Sequence, residues 1–316
     1  ALHSFDHADG KYHLMGCMLS AASCNKWWME DILQTSDYNA EQASIDRLGE
    51  NNVYFLPYLM GERSPHNNPA ARAVFFGMSM DSTRSDMTQA VLEGVAFGLR
   101  NCLEVARLFG CAVFTPSSIG AFGPSTPHDN TPQDTIQRPN TIYGVTKVTG
   151  ELLSDYYFTR FGVDTRSVRF PGLISYQTLP GGGTTDYAVE IYYAAVKGEK
   201  FVCPLQKGTY MDMMYMPDAL KAMVDIMEAD ASKLVHRNSF NVTSMSFDPE
   251  IIYGVLKKRF PNFVMEYRPE PIKQAIADSW PNKMDDSCAR QEWGWSPQYD
   301  LEKMTDDMIL NLKKKL

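Results

Sequence analysis

Apolar residues recur at helical spacing over residues 11–33 (Leu14, Met18, Ala21, Trp28, Ile32), which predicts a helix there. The run from Val53 to Leu56 reads as a buried strand, and a second short strand is expected over 74–78. A long helix follows, capped by Ser82 or Thr83. Met87, Val91, Val95, Leu99, Cys102, Leu103 and Ala106 form one broad apolar face on it, and Gly110 ends it. From Ala112 the pattern changes to strands and helices in alternation. Strands are expected over 112–116, 164–169, 201–204, 239–242 and 263–267. Helices are expected over 141–161, 186–197, 217–229, 248–259, 270–278 and 300–314. Such alternation predicts an α/β fold with parallel pairing.

Composition narrows the function classes. The chain has 316 residues, 44% hydrophobic and 22% charged, ordinary values for globular protein, so two cores are within reach and disorder is not expected. A net charge of −8 argues against a nucleic-acid binder. No apolar run approaches the roughly 20 residues that span a bilayer, and the first residues carry no secretory pattern. The six cysteines (Cys17, Cys24, Cys102, Cys111, Cys203, Cys288) show no C-x-x-C pairing and no histidine at metal-ligand spacing. They read as reduced thiols with no metal site, and the cytoplasm is the expected compartment.

Candidate chemistry occurs in two places. In the first part, Gly61, Glu62, Arg63 and His66 form a polar cluster after the first buried strand, where α/β folds place ligands. The plainer reading is a surface turn with a solvated Glu62–Arg63 pair. In the second part, Ser117 and Ser118 end a strand; consecutive strand residues face opposite ways, so only one of them can face a given site. Downstream, Tyr143 and Lys147 stand four apart on one helical face, with Asn140 as expected N-cap. An ammonium one turn away, together with the positive helix end, favours a phenol that exchanges protons. Pro171 and Gly172 end a strand at the edge where doubly wound sheets meet ligands. Gly181-Gly-Gly-Thr-Thr-Asp-Tyr187 then opens a helix whose free amides suit a carboxylate while Asp186 suits an ammonium. Trp280 would supply an apolar wall.

These motifs carry two resemblances. Phe55-Leu-Pro-Tyr-Leu-Met-Gly-Glu-Arg-Ser-Pro-His-Asn-Asn68, Ala71-Arg-Ala-Val-Phe-Phe-Gly77 and Ala90-Val-Leu-Glu-Gly-Val-Ala-Phe97 resemble the signature of the FGGY carbohydrate kinases that include the xylulokinases. Val113-Phe-Thr-Pro-Ser-Ser-Ile-Gly-Ala-Phe-Gly123, Tyr143-Gly-Val-Thr-Lys147 and Val168-Arg-Phe-Pro-Gly-Leu-Ile174, in that order, resemble the extended short-chain dehydrogenases. The Gly-Thr-Thr-Asp-Tyr segment, Asp278-Ser-Trp-Pro281 and the stretch from Asp286 to Pro297 point within these to the threonine dehydrogenase branch.

The resemblances imply a chimera of two pieces. Residues 1–110 would be a fragment of an actin-like (ribonuclease H-like) sugar-kinase C-terminal domain. Residues 111–316 would be the catalytic and substrate-binding portion of a Rossmann-like, doubly wound short-chain dehydrogenase, about its C-terminal two-thirds. The implied site has Ser118, Tyr143 and Lys147 as catalytic residues. Tyr143, Lys147, Pro171 and Gly172 lie toward NAD, and Thr184, Thr185, Asp186 and Trp280 toward L-threonine. A faint likeness of the segment from His13 to Ala21 adds Ser20 as a substrate contact.

The implied assembly is a homodimer through the helix bearing Tyr143 and Lys147, with neither nucleic acid nor membrane as partner. Two departures from the family patterns matter. The G-x-x-G-x-x-G turn that holds the dinucleotide is nowhere in the sequence, since Gly94 and Gly98 sit inside the kinase-like helix. The kinase's catalytic aspartate and its Gly-rich adenosine turn after Gly110 are likewise missing, so phosphoryl transfer from ATP to xylulose is a poor alternative. The remaining alternative is a fusion with no activity of its own.

Overall fold

The computed structural model describes residues 3–6, 12–15, 19–45, 49–62 and 66–316, and divides the chain into two compact units, Ala1–Cys111 and Ala112–Leu316.

In the first unit, β1 (His3–Asp6) and β2 (Tyr12–Met15) pair antiparallel. The helix expected over 11–33 is thus a strand at its start. Among the described residues helix begins at α1 (Ala21–Lys26), continues as a π-helical turn (Trp27–Ile32) and is followed by α2 (Tyr38–Gln42). β3 (Tyr54–Leu56) and β4 (Val74–Phe76) pair antiparallel. α3 (Arg84–Phe109) opens on a Thr83–Asp86 capping box and closes at Gly110, which is left-handed with φ 63°. The core gathers Cys24, Trp28, Met29, Val53, Phe55, Ala90 and Val91. Helix and strand touch at Gly94: a Cβ there would lie 2.3 Å from the carbonyl oxygen of Phe55, so only glycine allows that approach.

The second unit begins with β5 (Val113–Phe114) and β6 (Ser117–Ser118), then α4 (Ile142–Phe161), β7 (Thr165–Arg166), β8 (Val168–Phe170) and β9 (Gly172–Ile174). Next come α5 (Tyr187–Lys197), β10 (Phe201–Cys203), β11 (Met211–Tyr215), α6 (Met216–Glu228), β12 (Phe240–Asn241) and β13 (Met245–Phe247). The unit closes with α7 (Pro249–Arg259), β14 (Met265–Tyr267), α8 (Pro271–Ala277), α9 (Ser287–Trp293) and α10 (Leu301–Lys315).

Val113 pairs with Thr165, and Ser117 with Arg169. The offset is the same in both pairs, 165 − 113 = 169 − 117, so β5 and β6 are one strand interrupted at Pro116 that runs parallel to β7 and β8. β8 in turn pairs parallel with β12, giving the order β12-β8-β6. A second group, β13-β11-β9, has one antiparallel and one parallel contact. All these strands come from residues after Ala112, and β6 has no partner on its outer side among the described residues. The expected α/β fold with parallel pairing is present. β9, β11, β13 and α9 are additions to the sequence reading.

Asp212 lies in β11 and is fully buried. Its carboxylate accepts from the Thr243 hydroxyl and, at 2.8 Å, from the Met284 amide. Burial is the main cause that pushes its pKa up to about 7. Because the folded value lies above the unfolded one, Asp212 supports folding fully below about pH 4, and that support is lost as the pH rises toward 7. Asp212→Asn keeps the shape without the charge. Its melting temperature relative to the parent should therefore rise steadily from pH 5 to pH 8; a difference independent of pH would refute the assignment.

Candidate functional site

The site is built where β6 ends and α4 begins. Thr141, and not Asn140, is the N-cap of α4: its side chain accepts from the Gly144 amide at 3.1 Å. The cap fixes the first turn, and Tyr143 emerges from it with 49% of its surface exposed. Its ring lies over Gly120, where a Cβ would come within 2.9 Å of Tyr143 Cε1 and 3.6 Å of Ser118 Oγ. Tyr143 and Ser118 therefore flank one bare spot of backbone. Lys147, one turn on, holds its ammonium 5.4 Å from the Tyr143 ring centroid and donates to the carbonyl of Pro116 at 2.9 Å. The neighbouring Thr115 amide donates to Arg166 across the sheet, so the Pro116 carbonyl, between β5 and β6, faces the other side and is left to the lysine.

The two serines part as strand geometry requires. Ser117 is buried and donates to Glu151, whereas Ser118 is half-buried and its Oγ accepts from the Gly120 amide at 3.1 Å. Ser118 thus caps the turn that follows it, while Ser117 faces the interior. That amide orients the Ser118 oxygen and leaves its proton available to a bound oxygen.

Behind these residues lies a buried polar network. Arg169 grips Glu151 with two parallel hydrogen bonds of 3.0 and 2.9 Å. Gln137 donates to the same carboxylate at 2.6 Å. The remaining guanidinium donor reaches the Gln133 carbonyl at 2.9 Å and Asn241 Oδ1 at 3.1 Å, and its plane sits 5.0 Å from the Phe122 ring. Sequence reasoning missed Glu151 and Arg169, although Tyr143, Lys147 and Glu151 continue a single i, i+4, i+8 row on α4. Lys147 and Glu151 line a cleft of about 150 Å³, together with Thr115, Pro116, Ser117 and Ser167.

The other expected residues form a second group. Phe170 pairs with Ser118; Pro171 then separates β8 from β9, and Gly172 opens β9, so the strand expected to end at Pro171 and Gly172 resumes there. A Cβ on Gly172 would meet Met213 Sδ at 2.4 Å and Thr185 Cγ2 at 2.8 Å, so packing against these two accounts for the glycine. Thr184, buried, and Thr185 belong to a 3-10 turn (Thr184–Asp186). Asp186 Oδ2 accepts from the amides of both Gly182 and Gly183 at 2.8 Å. This corrects one expectation: those two amides are engaged by the protein's own carboxylate and are not free for a substrate's. Trp280 is half-buried and packs against Ile119, Phe122 and Met284, beside the turn that follows Ser118.

In the first unit, Glu62 is buried, and His66 accepts or donates at 3.0 Å to the Tyr58 hydroxyl. Arg63 lies outside the described residues. Ser20 is buried.

Parallel strands flanked by helices, with the end of β6 beside the start of α4, define a Rossmann-like α/β fold. The chain belongs to the NAD dependent epimerase/dehydratase family, whose family model matches residues 79–243. A second model, the C-terminal domain of the FGGY family of carbohydrate kinases, matches residues 2–150. An uncharacterized epimerase/dehydratase of Staphylococcus haemolyticus is 58% identical over 218 residues, 69% of each chain. Among solved structures, an L-threonine dehydrogenase from Clostridium difficile is 58% identical, with a TM-score of 0.69 over 72% of this chain and 71% of that one. A GalE-like L-threonine dehydrogenase from Cupriavidus necator is 51% identical, with a TM-score of 0.67 over 69% and 79%. No helix among the described residues is long and apolar enough to cross a membrane.

NAD, which the family implies, fits the residues at one end only. Lys147 and the half-exposed Tyr143 stand where a nicotinamide ribose could be held, and residues 1–111 offer no glycine turn for the pyrophosphate.

The network predicts its own test. Arg169→Met leaves the Glu151 carboxylate buried without its partner, and breaking such a pair costs about 3–5 kcal/mol. Urea unfolding of the second unit should register that loss. A change below about 1 kcal/mol would show that the pair does not hold α4 to the sheet.

Proposed function

We propose that residues 112–316 carry the catalytic and substrate-binding portion of an L-threonine 3-dehydrogenase, and that residues 1–111 are a sugar-kinase-like unit without phosphoryl-transfer chemistry. The observation that carries this reading is the placing of Ser118 and Tyr143 on either side of Gly120, with Lys147 anchored on the Pro116 carbonyl. Similarity to dehydrogenases named for L-threonine supports the substrate.

In this reading the Ser118 hydroxyl donates to the substrate's reacting oxygen while Tyr143 takes that oxygen's proton. The Lys147 ammonium stabilises the negative charge that passes through the phenol oxygen. A bound nicotinamide supplies the hydride acceptor. Asp186, with Oδ2 occupied by two amides, offers Oδ1 to the amino group, and Trp280 walls the methyl side. Exposed Ile142, Val145, Leu152, Leu153 and Tyr156 on α4 support a homodimer through that helix.

Two outcomes follow. Because the glycine turn is missing, the chain should bind NADH weakly; fluorescence titration that saturates with Kd near ~1 μM would contradict this. Residues 112–316 joined to a complete dinucleotide-binding half should oxidise L-threonine with NAD. In that fusion Tyr143→Phe should lower kcat by roughly 100-fold or more with cofactor affinity unchanged. An active fusion indifferent to Tyr143→Phe would remove Tyr143 from the acid–base role.

A further inference from the structure

Away from the Ser118–Tyr143 site, His236, Cys288 and Glu292 each place one potential ligand atom within 4.8 Å of the others. The fold creates this cluster from residues 52 and 56 positions apart, which is why cysteine and histidine spacing along the sequence indicated no metal site. The His236 ring is held at one end: Nδ1 contacts Glu292 Oε1, and Glu292 Oε2 accepts from the amides of Val235 and His236 at 2.6 and 3.0 Å. Both Glu292 oxygens are therefore committed to fixing the imidazole. The other nitrogen, Nε2, faces Cys288 Sγ at 3.9 Å and Asp134 Oδ2 at 3.6 Å.

These separations are close to those a bound metal imposes. A tetrahedral ion with zinc–nitrogen and zinc–sulfur bonds of about 2.0 and 2.3 Å sets its nitrogen and sulfur ligands about 3.5 Å apart, and its nitrogen and oxygen ligands about 3.3 Å apart. A carboxylate that holds a histidine by the nitrogen away from the metal is the usual outer support of a zinc ligand. Asp134 has 87% of its side chain exposed, so it can turn inward and also marks the side open to solvent. Carboxylate, imidazole and thiol in a row would also describe an activated thiol nucleophile. That requires cationic surroundings, whereas Asp134 and Glu292 make this corner anionic, which favours a bound cation.

We propose that His236 Nε2, Cys288 Sγ and the Asp134 carboxylate bind a zinc ion whose fourth position is left to water, with Glu292 as the outer carboxylate that orients His236. Thiolate, imidazole and carboxylate together select zinc over magnesium or calcium. The ion would clip the loop at Asp134, the loop at His236 and α9 together within the second unit.

The test is titration of the full, reduced chain with cobalt(II) chloride, then displacement by zinc chloride. Cobalt should give a thiolate-to-metal charge-transfer band and tetrahedral visible bands, and zinc should remove both with an apparent Kd at or below about 1 μM. Cys288→Ser should abolish the charge-transfer band. Glu292→Gln should keep it but weaken affinity roughly 10- to 100-fold, as loss of an outer carboxylate does. A cobalt spectrum of the unaltered chain without a charge-transfer band would overturn the proposal, as would a band that survives Cys288→Ser. An affinity untouched by Glu292→Gln would overturn the role of Glu292.

Discussion

The second unit is organised around a buried ion pair. Glu151 on α4 and Arg169 on β8 meet in a two-point grip away from water, with further hydrogen bonds from Ser117 and Gln137 to the carboxylate and from the guanidinium to Gln133 and Asn241. Burying opposite charges is costly unless the geometry is that complete, so the pair specifies one arrangement of helix against sheet. It sets the rotation of α4, and hence the face that carries Tyr143 and Lys147 beside β6. The helix that carries Tyr143 beside Ser118 is held by charges that do not themselves touch the bare spot at Gly120.

How much of this was legible in the sequence follows from the range of the forces involved. α4, with its Tyr143–Lys147 row, is encoded by local spacing and was read over 141–161, one residue from its observed start, with its cap one residue off. β11 was not legible: Met211-Asp-Met-Met-Tyr215 is buried on both faces, so no alternation marks it as a strand. α9, seven residues long and mostly polar, gave no periodic signal. The expected helix over 11–33 failed at its start because Tyr12–Met15 satisfies its backbone by pairing with β1, a partner that apolar spacing does not reveal.

The candidate site shows the same division. Ser118, Tyr143 and Lys147 could be named from motifs, but their support could not. Arg169, a charge in a buried strand, did signal in the sequence that it must have a partner; which partner depended on the fold. Asp186 illustrates the converse, because a motif suggested amides open to a ligand and the folded turn closed two of them on its own carboxylate. The His236 cluster is wholly a product of tertiary contact.

The bond from Lys147 to the Pro116 carbonyl has a bearing on mutational tolerance. Main-chain acceptors are common to all residues, so the ammonium keeps its anchor whatever side chains vary around it. What cannot drift freely is the course of the main chain at position 116. The neighbouring Thr115 amide faces the sheet and donates to Arg166, which leaves the Pro116 carbonyl turned to the other side, toward the ammonium. Proline fixes its own φ and so holds that course, and selection at that position would act through the backbone.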